Sequence, residues 1–225
     1  MVSYDQIDDM ASPNAEAQLG WLDRQPRDRF LSQPYEQLAA VFGKMGLEED
    51  KLKVMIAKNK EHAAHLKWHP VRLLYGLLGI LIGYGYRPWR AFRISLIVIV
   101  FGWIVFQLGY DWKLITPTRA EAYLVEKDGT KRLKNGKLQI SEDYPKFNAL
   151  VYSLETFVPL LKLGVSEYWT PNAKRGAPLD LGALNKHGFR TNWGSAIRDY
   201  MWLHIILGWV LTTLWIGALA GLVKT

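Results

Sequence analysis

The sequence predicts a mainly α-helical integral membrane protein: two transmembrane helices with a half-membrane helix between them, a cytosolic helical hairpin, an interfacial helix and a small external β meander. Three observations lead there. Two apolar runs, 92–110 and 202–223, approach the roughly 20 residues needed to cross hydrocarbon. Arg87, Trp89, Arg90, Arg93, Trp112 and Trp202 flank them, the placement expected of interface anchors, with Arg93 snorkelling along its own stem. A third apolar stretch, 147–158, stands between the runs and is only about 18 Å long as a helix, half a bilayer.

Composition narrows the class. The mean hydropathy of −0.05 hides the apolar runs because polar segments carry most of the 28 Lys+Arg and 21 Asp+Glu. The net charge of +7 is not gathered into a basic arm, so no nucleic acid is expected as partner, and attraction to anionic lipid explains the excess. With no cysteine there is no disulfide framework, thiolate metal site or cysteine nucleophile. No phosphate loop, HExxH or nucleophile elbow is present, so the expectation is a protein that is not an enzyme and needs no cofactor.

In chain order, 1–33 reads as a polar leader with a short helix around Ala15–Leu22, without the apolar core of a signal peptide. The hairpin, 34–69, opens at Pro34, repeats Tyr35, Leu38, Ala39 and Phe42 at helical spacing and turns at Gly46. Glu48, Glu49 and Asp50 start its second helix, whose Leu52, Met55 and Ile56 are expected to pack on the first. It is similar in size to one tetratricopeptide-like unit, which cannot bury its own face, so a cytosolic protein partner or subunit contacts are expected. Within 70–90, residues 71–86 are too short to cross and are expected along the inner interface, followed by the Arg87-Pro88-Trp89-Arg90 collar.

The first transmembrane helix, 91–110, leads into 111–146. There Tyr123, Val125, Leu138 and Ile140 with turns at Asp128-Gly129 and Asn135-Gly136 predict a three-stranded meander. The half-membrane helix and its loop occupy 147–164, a further external loop 165–200, and the second transmembrane helix 201–225. Arg87, Arg90 and Arg93 before the first span and Lys224 after the second place both termini in the cytoplasm.

The stretch Phe147-Asn148-Ala149-Leu150-Val151-Tyr152-Ser153-Leu154-Glu155-Thr156-Phe157 resembles the pore helix of two-transmembrane channels of the potassium channel superfamily, where an aromatic, Ala-Leu, an aromatic, Ser-Leu and Thr occur in this order. The resemblance covers roughly 92–225. It implies a pore-loop ion channel of the bacterial inner membrane, a homotetramer, with Glu155, Thr156, Pro159, Lys162 and Gly164 at the pore or constriction and Gly208 at a bend of the inner helix. The chain departs from the family at the filter: Thr156 is followed by Phe157-Val158-Pro159-Leu160-Leu161-Lys162-Leu163-Gly164, with no Gly-Tyr-Gly ladder of carbonyls, so potassium selectivity is not implied. A looser resemblance, carried by 33–39, 82–91 and 208–213, is to membrane modules found at the C-terminus of bacterial pentapeptide-repeat-type proteins, whose repeats this chain lacks.

Individual side chains sharpen these expectations. Glu155 reads equally as a vestibule carboxylate or as a buried structural one held by Arg or Trp. Lys162 reads as a cationic ring at the constriction or as a lysine snorkelling outward. With Lys174, Arg175, Lys186, Arg190 and Arg198 against Glu167, Asp180 and Asp199, the outer vestibule is electropositive and conduction leans toward anions. Gly217 and Gly221 form a small-xxx-small pattern where helices could cross. Gly83-Tyr84-Gly85 imitates a filter but lacks a pore helix, and His62, His65 and His69 lack the acidic ligand that would complete a metal site. His204 is expected as a polar residue at the membrane interface. The competing class is a non-conducting scaffold that recruits a partner through the hairpin.

Overall fold

A computed structural model of the chain describes residues 14–22, 30–124, 133–134, 137–179 and 191–221. The described elements are α1 (Ala15–Leu22), α2 (Gln33–Lys44), α3 (Glu48–His65), α4 (His69–Ile82), α5 (Trp89–Asp111), β1 (Ile115–Pro117), a 3-10 turn (Ala120–Ala122), β2 (Leu133–Lys134), β3 (Lys137–Leu138), α6 (Ala149–Phe157), α7 (Val165–Tyr168), β4 (Trp169–Pro171), β5 (Pro178–Leu179), β6 (Thr191–Asn192) and α8 (Trp193–Leu219). The protein is mainly helical, and α5 and α8 are long and apolar enough to cross a membrane. The chain forms two compact units, Met1–Phe92 with Thr213–Thr225 and Arg93–Thr212.

In the first unit Pro34 sits in the first turn of α2, and Gly46 takes the left-handed backbone (φ 74) that lets α3 double back. Tyr35, Leu38, Ala39 and Phe42 are all buried, as their spacing predicts, in a cluster with Ala15, Leu22 and Val54. The partner face on α3 agrees with expectation at Met55, which packs on that cluster, and differs beside it: Val54 is fully buried, while Leu52 and Ile56 are only half-buried. The reason is that α3 meets α1 and α4 as well as α2, which centres its buried arc on Val54, Asn59 and Ala63. Residues 15–22 therefore belong to the core of the hairpin.

Helix α4 ends in a Schellman-type turn, with the Tyr84 amide donating to the Leu78 carbonyl at 3.2 Å. Gly83, Tyr84 and Gly85 all have positive φ, and the Tyr84 ring lies so close over Gly79 that a Cβ there would meet it at 2.7 Å. The filter-like tripeptide is thus a helix stop. One face of α4 (Leu78, Leu81, Ile82) packs with Ala91, Leu214, Trp215 and Ala218, while Leu73, Leu74, Leu77 and Ile80 are exposed.

In the second unit the strands differ from the expected meander. Among the described residues there are three separate antiparallel pairs: β1 with β4, β2 with β3, and β5 with β6, plus an isolated bridge between Tyr123 and Ile140. The 133–138 hairpin is local, but β1 finds its partner more than fifty residues away, in register Ile115↔Pro171, and such pairing leaves no trace in local periodicity. Val125 and the turns at Asp128-Gly129 and Asn135-Gly136 lie outside the described residues, as do Asp180, Lys186, Arg190 and Lys224.

The second long helix also begins earlier than residue 201. Ser195 donates its amide to Asn192 Oδ1 at 2.8 Å, and Asn192 donates its own amide to Ser195 Oγ at 3.0 Å, a reciprocal cap that starts α8 at Trp193. Gly194 is required there, since a Cβ would stand 2.1 Å from the Asn172 carbonyl oxygen. Arg198, expected in the external loop, lies in α8 beside Asp199 and over the Trp202 ring. The unit's core is an aromatic cluster in which Phe106, Tyr152 and Trp169 are buried with Leu114, Ile115 and Ile197; each large side chain contributes about 2–3 kcal/mol by leaving water.

Candidate functional site

The resemblance to a pore helix rests on 147–157, and α6 forms there with Asn148 as its cap, the side chain accepting from the Val151 amide at 3.0 Å. Helix α6, the turn after it and α7 make a short hairpin whose neck is tied twice. Trp169 Nε1 donates to the Pro145 carbonyl at 2.8 Å, and the Tyr144 hydroxyl donates to the Tyr168 carbonyl at 2.6 Å.

From that neck α6 runs between α5 and α8. Ser153, fully buried, donates its hydroxyl to the Ile99 carbonyl of α5 at 2.8 Å. His204 of α8, also fully buried, sets Nε2 3.1 Å from the Ser153 carbonyl, which fixes that nitrogen as the protonated donor. Phe106, Phe157 and Tyr200 surround the imidazole. Gly102 makes the room: a Cβ there would stand 2.5 Å from both the imidazole and the Ser153 hydroxyl. At the end of α6 the Phe157 carbonyl rests on Gly208, where a Cβ would be 1.9 Å away. At 1.5 Å per residue, Ile99 lies about 15 Å from the start of α5 and Gly208 about 22 Å from the start of α8, each near mid-length. The hairpin therefore reaches halfway along both long helices.

Past Phe157 the chain turns through Pro159 and returns at Gly164. Glu155 closes this turn, accepting from the Gly164, Val165 and Ser166 amides at 3.0, 2.9 and 3.0 Å and from the Ser166 hydroxyl at 2.9 Å. Four donors satisfy a carboxylate in its ionised form. Gly164 adopts φ 84, a conformation that costs an L-residue about 1–2 kcal/mol. Thr156 spends its hydroxyl on its own helix, donating to the Tyr152 carbonyl at 2.7 Å. Of the five residues expected at a constriction, Glu155 and Thr156 are thus turned into the hairpin, Pro159 and Gly164 shape its turn, and Lys162 is exposed beside Leu163 and Leu160, the last 91% exposed.

Comparisons with protein-family models, curated proteins and solved structures give no match.

The remaining expected residues separate into two groups. Gly208 is buried inside an uninterrupted helix and acts as a seat for the Phe157 carbonyl. Gly217 lies within α8, but Gly221, at φ 72, falls in the turn beyond its end at Leu219, so the pair does not line one helix face. Among the anchors, Trp89, Trp112 and Trp202 are all more than half exposed. Trp112 meets Trp193 edge-on, Arg90 donates to the Gly79 carbonyl at 3.3 Å, Arg93 is exposed, and Arg87 pairs with Glu49 of α3. His62 stacks on Phe30 and His65 sits beside Glu61; among the described residues no three potential ligands converge on a metal position.

Ser153 enters the sequence reading only as part of the 147–157 stretch, and Gly102 and Trp169 do not enter it: Ser153 and Gly102 give no more signal than a small residue inside an apolar stretch, which fits a solvated or a bonded position equally well, and Trp169 no more than one aromatic among many. His204, expected as an interfacial polar residue near the start of a helix at 201, instead stands about three turns past the start of α8 at Trp193 and is fully buried against Ser153.

Proposed function

We propose that the chain is one subunit of an oligomeric pore-loop channel-like protein of the bacterial cytoplasmic membrane, without potassium selectivity and leaning toward anions. The observation that carries this reading is the Phe157 carbonyl seated on Gly208, which ends a polar-capped hairpin midway along two helices of membrane-crossing length. In this reading α5 and α8 cross the bilayer, α6 is a half-membrane helix, α4 lies along the inner interface with its exposed leucines in lipid, and both termini are cytoplasmic.

The turn argues for neighbours around it. Among the described residues the amides of Leu160, Lys162 and Leu163 have no hydrogen-bond partner. Irregular backbone at mid-bilayer depth is tolerated only against protein or a water-filled path. Copies of this chain arranged about an axis supply both, and by resemblance their number is four. Lys162 then contributes a ring of positive charge that concentrates anions, while Glu155 is turned into the hairpin, away from the exposed side on which Lys162 stands.

Planar-bilayer recording tests this. Lys162→Glu is expected to move the reversal potential in a salt gradient toward cation preference, and Glu155→Gln to leave it in place. An unchanged reversal potential in a Lys162→Glu protein that still conducts takes the turn off the pathway. A purified protein that is monomeric in nanodiscs overturns the oligomeric pore.

A further inference from the structure

A cavity of about 540 Å³ opens between the end of α5, the β1–β4 pair and the Tyr123–Ile140 bridge, within the roughly 300–1,000 Å³ of small-molecule sites. Its lining combines groups that do not ordinarily stand unused together. Asp111 accepts from Gln107 Nε2 at 3.0 Å, and Arg175 donates Nη1 to the Lys113 carbonyl at 3.3 Å. Among the described residues neither has an ion-pair partner, although both line the same cavity. Thr116, only 7% exposed, lines it too, and its hydroxyl has no hydrogen-bond partner among the described residues. Tyr110, Tyr123 and Trp169 supply aromatic walls.

Opposite charges in one cavity, each steadied by a neutral neighbour instead of by the other, suit a ligand that carries both signs. Aromatic faces beside a carboxylate favour an ammonium group. The guanidinium fork takes an anionic oxygen pair, and the Thr116 hydroxyl beside it in the lining offers a further donor, a set that suits the several oxygens of a phosphate better than the two of a carboxylate. We propose that this cavity binds a phosphoethanolamine group, ammonium toward Asp111 and phosphate toward Arg175 and Thr116. The same group exists as a free solute and as the headgroup of phosphatidylethanolamine. The site is independent of whether the protein conducts.

The test uses the purified full chain in detergent, with O-phosphoethanolamine, ethanolamine and inorganic phosphate as calorimetric titrants. A parallel arm uses nanodiscs of phosphatidylglycerol with and without phosphatidylethanolamine, read by native mass spectrometry for retained lipid. In at least one arm the phosphoethanolamine group is expected to bind about tenfold or more tightly than ethanolamine or phosphate alone. Asp111→Asn and Arg175→Gln should each weaken it by a similar factor, and Thr116→Val by less. Retained phosphatidylethanolamine that is lost in those variants assigns the lipid as source; solute binding without lipid retention assigns the free compound. Binding of neither probe, equal binding of inorganic phosphate, or wild-type affinity in both charge variants overturns the proposal. All three variants alter the rim or floor of the cavity, so if one fails to elute as a single species the others still decide.

Discussion

Two hairpins in this chain turn on a glycine with a left-handed backbone, Gly46 between α2 and α3 and Gly164 ahead of α7, yet opposite forces hold them. The first is closed by apolar contacts among Tyr35, Leu38, Phe42 and Val54 and shows charge outward, with Glu36 facing Lys58 and Glu48 facing Lys51. The second is closed by a carboxylate and four hydrogen bonds and shows Leu160 and Leu163 outward. The same left-handed glycine is thus compatible with closure by apolar packing or by a hydrogen-bonded carboxylate.

Substitutions can break this contrast or sharpen it. The largest effect is expected from Gly208→Ala, whose methyl meets a backbone carbonyl that cannot swing aside. A loss of about 3 kcal/mol or more should appear as a collapse of the single elution peak after mild heating; a wild-type melt would mean that the hairpin does not seat on α8. Next comes Glu155→Gln, which replaces an acceptor of four donors by a group that can accept only part of that set, expected to cost about 2–3 kcal/mol. Thermal unfolding of detergent-solubilised protein measures it, and no shift would remove the carboxylate as the fastener of the turn.

At the α2–α3 hairpin the effects should be smaller. Gly46→Ala meets no neighbour within 4 Å and suffers only from its φ, about 1 kcal/mol by the same melt. Glu36→Gln, removing one exposed side of a 3.5 Å ion pair, should cost under about 1 kcal/mol and less still in high salt. A result in which Glu36→Gln exceeds Glu155→Gln would reverse the comparison.

Much of this architecture can be read from the amino acids. Apolar run length marks α5 and α8, four buried residues at helical spacing mark α2, and the apolar 147–158 stretch before Pro159 marks α6. What escapes is whatever depends on distant partners. The β1–β4 pair, the bond from Ser153 to Ile99 and the Glu155 contacts with 164–166 join residues whose separation carries no periodic signal. The start of α8 was legible in principle, since Asn192 and Ser195 stand at capping-box spacing, but the polar Ser195, Arg198 and Asp199 that follow depress the apolar signal.

That cap has a consequence for how α8 is indexed. Ile197, His204, Leu211 and Ala218, all buried, recur at intervals of seven along the helix, so one stripe is presented along its whole length. Because Asn192 fixes the origin, a single inserted residue before His204 would rotate every later mark by about 100° and slide it about 1.5 Å. The imidazole would leave Ser153 and Gly208 would leave Phe157 in the same stroke. The helix behaves as a ruler with its zero at the cap: an insertion keeps both contacts only if it restores rotation and rise together, so spacing, and not only composition, decides whether this part of the chain packs.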